Sequence, residues 1–476
     1  MAIEDRPAPE TGEPPRTRTA PAASGAAPAL RALLLRLHFY AGLLIAPFLL
    51  VAATSGLLYA LSYPAERIVY SHELTVPVGD RVQPVSEQIA AAREAHPEGT
   101  VTAVWPSSEE GATTRVLMTS PEVEEGKSLA VFVDPYTAEV RGELPSYGSS
   151  GALPLRTWLS EFHRNLHLGE PGRLYSELAA SWLWVVALGG VALWAARRRR
   201  RRALLLVPDR TLPKKGRART LSWHGSVGLW AAAGLVALSA TGLTWSTYAG
   251  ENIGKVQDQL GGSTPTVSAA LDPGASDGGG HDGHGGGSGE TGEHQGADIG
   301  VDAVLGAAAG AGVDGKLAVV LPAEGTGYVV KQTDTLFPVH LDSVSVDPAD
   351  GRIIDELRFD DYPLLAKLTR YGIDLHMGVT LGLANQLALA ALMLGTILLI
   401  VWGYRMWWLR RPTQDRVRSA GRPYPRGSLR RLPAAWSVPL GAAALLVGWF
   451  VPLLGLSLLA FLVVDTALGV RARART

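Results

Sequence analysis

No cysteine occurs anywhere in the 476 residues. That absence excludes disulfides, thiolate zinc sites, cysteine-ligated iron–sulfur clusters, c-type haem attachment and a cysteine nucleophile, so any metal or haem is held by nitrogen or oxygen. Charge is scarce as well: 18% of residues are charged, 44 basic against 44 acidic. A chain with no net positive charge lacks the electrostatic footprint of a nucleic-acid binder. Also missing are a P-loop, a G-x-G-x-x-G opening a helix, an H-E-x-x-H and a G-x-S-x-G. The chain therefore lacks a nicotinamide or flavin domain of its own, and if electrons leave through it, a cytoplasmic partner or a quinol must supply them.

What the chain has in quantity is apolar length, 47% of its residues. Residues 1–30, rich in Pro, Ala, Thr and Glu, read as a disordered cytoplasmic tail. Apolar stretches at 31–61, 174–196, 221–248 and 375–406 are each long enough to cross a hydrocarbon core of about 30 Å. The stretch at 435–470, interrupted by Pro452, reads as two short spans or one long kinked one. Arginine clusters at 197–220 and 407–434 place those connections inside, with the N-terminus. The basic C-terminus then favours a closing hairpin and six spans; four plus a re-entrant pair is the competing count. No ionisable residue is expected near mid-bilayer. The expected location is the inner (plasma) membrane, in contact with lipid, both termini cytoplasmic.

Two segments, 62–173 and 249–374, are left outside. From Ser62 to Glu177 there are 17 carboxylates against 9 Lys and Arg, and from Tyr248 to Leu375 there are 20 against 7. The neutral total therefore conceals an acidic exterior and a basic interior.

The two halves repeat. LHFYAGLLIAPFLLVAATSGL from Leu37 matches WHGSVGLWAAAGLVALSATGL from Trp223, with Gly42 and Gly56 opposite Gly228 and Gly242. VDPYTAEVRGEL from Val133 matches VDPADGRIIDEL from Val346. Asp134 precedes His163 by the same interval as Asp347 precedes His376. These registers predict a tandem duplication of helix, outer domain, helix. The excess length of the second copy matches a Gly- and His-rich insert at 273–298. Each outer segment reads as a small α+β unit. Ser86–His96 forms a helix, and strands run at Arg115–Met118, Leu129–Asp134, Glu139–Leu144, Leu317–Leu321, Gly327–Gln332 and Arg352–Leu357, with D-P turns before the last of each set. The fold class is an α-helical integral membrane protein with two extracytoplasmic α+β domains and a C-terminal helical hairpin.

Four histidines hold repeat-equivalent places: His38 and His224 at the inner ends of spans, His163 and His376 at the outer ends. Imidazoles from facing helices are a usual way to ligate haem iron in a bundle, and glycine lets a macrocycle approach the backbone. The pattern predicts two bis-histidine b haems, His38 with His224 and His163 with His376. His167, four residues after His163 on the same helical face, is an alternative outer ligand, where the second copy has Thr380. Arg156, Arg164 and Arg370 are placed for haem propionates or an anionic ligand, or for interfacial anchoring. His72, His96 and His340 read as surface residues. In the insert, His281, His284 and His294, with Asp282, Glu290 and Glu293, suit weak divalent-metal capture or a plain spacer.

At LHFYAGLLIAPFLLVAATSGLLY, FHRNLHLGEPGRL, WHGSVGLWAAAGLVALSATGL and LHMGVTLG the sequence resembles the PepSY-associated transmembrane family, iron-regulated membrane proteins and siderophore-iron reductases among them. The resemblance covers about 31–410. It implies a four-helix core with PepSY-like outer domains, haem on the membrane histidines His38, His163, His224 and His376, and reduction of a ferric siderophore or other metal chelate for iron uptake. His167 departs from the family's usual aliphatic residue. The family also implies a non-redox alternative, in which the outer domains bind or regulate a partner such as a protease.

Overall fold

In the computed structural model, residues 26–196, 206–213, 215–272, 297–410, 426 and 432–474 are described. Helix α1 (Ala26–Leu44) runs into α2 (Ala46–Ala60) across a 60° bend. Pro47 causes it: proline has no N–H to donate, and its ring displaces the carbonyl four residues back. That carbonyl, on Leu43, is taken up by the Tyr404 hydroxyl at 2.9 Å. The expected single span at 31–61 is therefore a broken one. Its repeat counterpart, with Ala233 in place of Pro47, is unbroken.

Outside the membrane follow α3 (Ser62–Val69), α4 (Ser71–Leu74) and α5 (Val85–Ala95), then strands β1 (Val101–Trp105), β2 (Thr114–Met118), β3 (Lys127–Val133) and β4 (Val140–Tyr147). Next come α6 (Pro154–Asn165) and the span α7 (Glu170–Ala195). The order then recurs: span α8 (Arg217–Thr244), α9 (Tyr248–Gln259), α10 (Val301–Gly310), β5 (Leu317–Val320), β6 (Tyr328–Gln332), β7 (Ser343–Val346), β8 (Ile353–Leu357), α11 (Leu364–Met377) and span α12 (Leu383–Trp408). The fourth span does not begin at 375 as expected. Helix α11 stops at Gly378, whose positive φ of 86° closes its C-terminus, and the span starts five residues later.

The expected strands and D-P turns are present; β1 and β7 are the two that the sequence pattern did not pick out. The two outer segments differ from expectation in sharing one antiparallel sheet, ordered β4-β3-β2-β1-β5-β6-β7-β8. The join is β1 against β5, with Ala103 opposite Val320 and Val104 opposite Val319. Helices α5 and α10 cover one face, and Val104, Val116, Val131, Val304, Val319 and Val330 are fully buried between the layers. Asp302 of α10 accepts hydrogen bonds from the Val85 and Ser86 amides at the start of α5, so the second half caps a helix of the first.

A hairpin of α13 (Ala434–Phe450) and α14 (Pro452–Arg473) packs on α1, α2 and α7 of the first half and on α9 of the second. The Asn252 amide donates to the Phe450 carbonyl at the outer tip, Trp182 Nε1 to Ser457 midway, and Asp465 pairs with Arg36 and Arg426 lower down. Asp465 is thus an ionisable group within α14, below its midpoint, and it is neutralised in place.

Candidate histidine site

The outer pair arises from the helices that return the chain to the membrane. His163, near the end of α6, reaches Ser55 of α2, with Nδ1 2.8 Å from Oγ. His376, near the end of α11, reaches Thr241 of α8, with Nδ1 2.6 Å from Oγ1. Ser55 and Thr241 are themselves repeat-equivalent. Each hydroxyl has one hydrogen, and each sits within bonding distance of the helix carbonyl four residues back, Val51 at 2.9 Å and Ala237 at 2.9 Å. The hydroxyl hydrogen goes there, the ring Nδ1–H donates to the hydroxyl, and Nε2 keeps its lone pair. Burial lowers the pKa of both rings, His376 to about 3 with the His163 charge as second cause. Both are therefore neutral at pH 7, the form that binds a metal.

The inner pair is built differently. His38 Nδ1 lies 3.0 Å from the Val186 carbonyl of α7, and His224 Nδ1 lies 3.1 Å from the Leu399 carbonyl of α12. A carbonyl only accepts, so Nδ1 carries the proton and Nε2 the lone pair. The two rings lie 6.3 Å apart between centroids, at 78°. Two metal–imidazole bonds of about 2.0–2.1 Å, plus about 1.1 Å from each nitrogen to its ring centre, add to roughly the same length. Glycine keeps the surroundings open. A Cβ on Gly190 would come within 3.2 Å of His38, on Gly56 within 3.3 Å of His163, and on Gly242 within 3.7 Å of His376. A cavity of about 290 Å³ between α1 and α7 has His38 in its wall among Leu34, Leu37, Ala41 and Val185. The donor set, the neutral imidazole tautomers and the glycines fit haem. Along α8, His224 and Thr241 are 17 residues apart, about 25 Å at 1.5 Å per residue, which spans most of the bilayer core.

Other predicted residues fall elsewhere. His167 is not on the His163 face, because α6 ends at Asn165 and both Leu166 and His167 take positive φ. Its ring lies out against Trp158 and Phe162, at 4.9 and 6.2 Å, with Nδ1 3.3 Å from Glu161. His167→Ala is therefore expected to leave the optical spectrum and cofactor content of the purified protein unchanged. Arg156 is occupied by Glu66, Arg164 by the Tyr147 ring and hydroxyl, and Arg370 by Asp374. His96 lies between Glu98 and Glu143, His72 meets Arg141, and His340 lies near Asp334. His281, His284 and His294 lie outside the described residues, among which no cluster of three metal-binding side chains occurs.

Sequence reasoning missed Ser55 and Thr241. The signal was present: each directly precedes the matched Gly-Leu, in TSGL and ATGL. The carbonyls of Val186 and Leu399 leave no trace in side-chain chemistry, although both fall at the interval that relates His163 to His376.

A family model described as the PepSY-associated TM region matches residues 35–410. That range takes in all four histidines and stops before the α13–α14 hairpin. Among curated proteins, none matches the chain.

Proposed function

This chain belongs to the family of the PepSY-associated TM region, and from that premise we propose that it is a haem-b electron-transfer protein of the inner membrane, with both termini cytoplasmic, which reduces ferric siderophores or other metal chelates outside for iron uptake. The supporting observation is the two pairs of histidines, each with Nδ1 held at hydrogen-bond distance by Val186, Leu399, Ser55 or Thr241. Bound there, haem b supplies a reversible one-electron carrier at each level of the membrane. His38 and His224 would hold the inner one, and His163 and His376 the outer one. The chain's own residues fix the tautomers through Val186, Leu399, Ser55 and Thr241, and the helices keep water out. One electron from a quinol or a cytoplasmic donor reduces one Fe(III) of the chelate. Hard oxygen ligands hold Fe(II) less firmly, so the metal is released. The recurring order of elements supports a tandem duplication, with one PepSY-like unit per copy contributing half of the common sheet.

The test is the haem-to-protein ratio and the reduced-minus-oxidised spectrum of detergent-purified protein, followed by ferric-chelate reduction with a ferrous trap. About two low-spin b haems per chain are expected. A colourless protein that takes up no added haem sinks the proposal.

A further inference from the structure

The connection between β6 and β7 ends in an apolar tip, Leu336, Phe337 and Pro338, and it is fastened to the turn between α11 and α12. The Phe337 amide donates to the Thr380 carbonyl at 2.8 Å, and a Cβ on Gly382, the residue before span α12, would come within 3.4 Å of Leu336. Leu336 and Phe337 are nevertheless 50% and 63% exposed, with Pro338 exposed beside them. The neck of the loop is polar: Asp334 accepts the Leu336 amide at 3.1 Å and lies 4.0 Å from His340. Neighbouring spans give the depth of the turn. A Cβ on Gly228 of α8 would meet Leu399 of α12, and one on Gly234 would meet Leu392. Continued outward, that antiparallel register brings 378–382 level with Trp245 and Tyr248 at the outer end of α8, where aromatic residues mark the headgroup region. Length agrees. The 26 residues of α12 extend about 39 Å, more than a hydrocarbon core of about 30 Å, so its first residues lie among headgroups.

We propose that the β6–β7 tip is a lipid anchor: Leu336 and Phe337 enter the outer leaflet just beneath the headgroups and hold the second-copy end of the sheet down on the bilayer. The tip adds to a surface that already meets acyl chains. Leu381 and Leu383, on either side of Gly382, are 53% and 62% exposed, and Leu387, Leu394 and Leu398 carry the exposed apolar stripe down α12. At this level lipid surrounds the span, and a soluble partner reaches the tip only by displacing it. The first copy supplies the contrast. Its equivalent connection, between β2 and β3, also runs close to the returning helix, since Lys127 Nζ lies 3.7 Å from Glu161 of α6. There the chain reads SPEVEEG, with Glu122, Glu124 and Glu125 exposed, and carboxylates do not leave water for a bilayer. The sheet is therefore tethered at one end only. Because the loop also holds Thr380, four residues after His376, the tether bears on the turn that follows the outer histidine. None of this rests on the haem reading; it needs only that α12 crosses the membrane.

The absence of cysteine makes the test clean, since Phe337→Cys, Leu336→Cys and Glu124→Cys each create a single labelling site. Each full-length variant carries an environment-sensitive dye and is reconstituted in phosphatidylethanolamine–phosphatidylglycerol nanodiscs, with some lipids bearing a nitroxide near the top of the acyl chain. Side chains that reach about 5–10 Å into the headgroup/acyl boundary lie against that nitroxide, so dyes at 337 and, independently, at 336 should be quenched at least about threefold more than the dye at 124. Their emission should shift to the blue, and iodide in the buffer should reach 124 but not 336 or 337. The dye at 124 reports how far a label by itself draws a loop into lipid. Equal nitroxide quenching at 124 and 337 overturns the proposal. So do dyes at 336 and 337 that iodide quenches freely, an outcome that leaves the tip facing water and open to a soluble partner.

Discussion

His38→Ala and His376→Ala should each leave a folded protein with half the haem of the wild type, and they should remove different halves. The expectation follows from separation. His38 and His224 meet at one level, His163 and His376 are held by α2 and α8 at another, and the two levels lie about 25 Å apart along α8. No described side chain bridges one pair to the other, so losses at the two levels should add. Each substitution removes a ring from a helix interface that is otherwise apolar, a truncation costing about 2–4 kcal/mol when buried. The hairpin contacts at Trp182 and Asn252 and the joined outer sheet do not depend on these rings. The measurements are pyridine haemochrome content per chain and the thermal midpoint. Loss of both haems from either variant would mean that the levels are coupled. Retention of both in His376→Ala would remove that residue from the ligand set.

Much of this was readable from the chain because repeats carry their registers openly. The spans, the two outer segments, most strands, the D-P turns and the four equivalent histidines all follow from apolar length, alternation and matched intervals. What could not be read was long-range. The pairing of β1 with β5 joins residues more than two hundred positions apart, and two edge strands of ordinary composition do not name their partner. The end of α6 was missed because Leu166 and His167 take positive φ without a glycine; the second copy announces the same stop with Gly378. The break after α1 was announced by Pro47 and overlooked, since the flanking run is apolar throughout. Asp465 was passed over in the final apolar stretch, and its partner Arg36 is 429 residues away.

Glu66→Gln should destabilise the protein by about 3–5 kcal/mol, the cost of leaving a buried charge without its partner. Glu66 of α3 and Arg156 of α6 pair at 3.0 Å with side chains 8% and 6% exposed. The second carboxylate oxygen of Glu66 accepts the Leu153 amide at 2.9 Å, which fixes the start of α6. The guanidinium also donates to the Gly151 carbonyl at 3.1 Å and lies 4.7 Å from the Tyr63 ring. Glutamine keeps the size and the Leu153 contact but abandons Arg156 to a dry site. Arg115 beside it already feels that environment: burial, with the Arg156 charge second, brings its guanidinium down to about 10. The second copy does without the pair, since the equivalent positions hold Asn252 and Thr369, which bond to Phe450 and Gln257 instead. Replacing both partners with Met should therefore recover most of the loss, whereas Arg156→Met alone strands Glu66. Two turns beyond Arg156 on the same helix lies His163, so the single variants should also lose the outer haem before the inner one on heating. Thermal midpoints and site-resolved spectra of the two single variants and the double would decide it. A double variant no more stable than Glu66→Gln would show that the pair contributes more than mutual neutralisation.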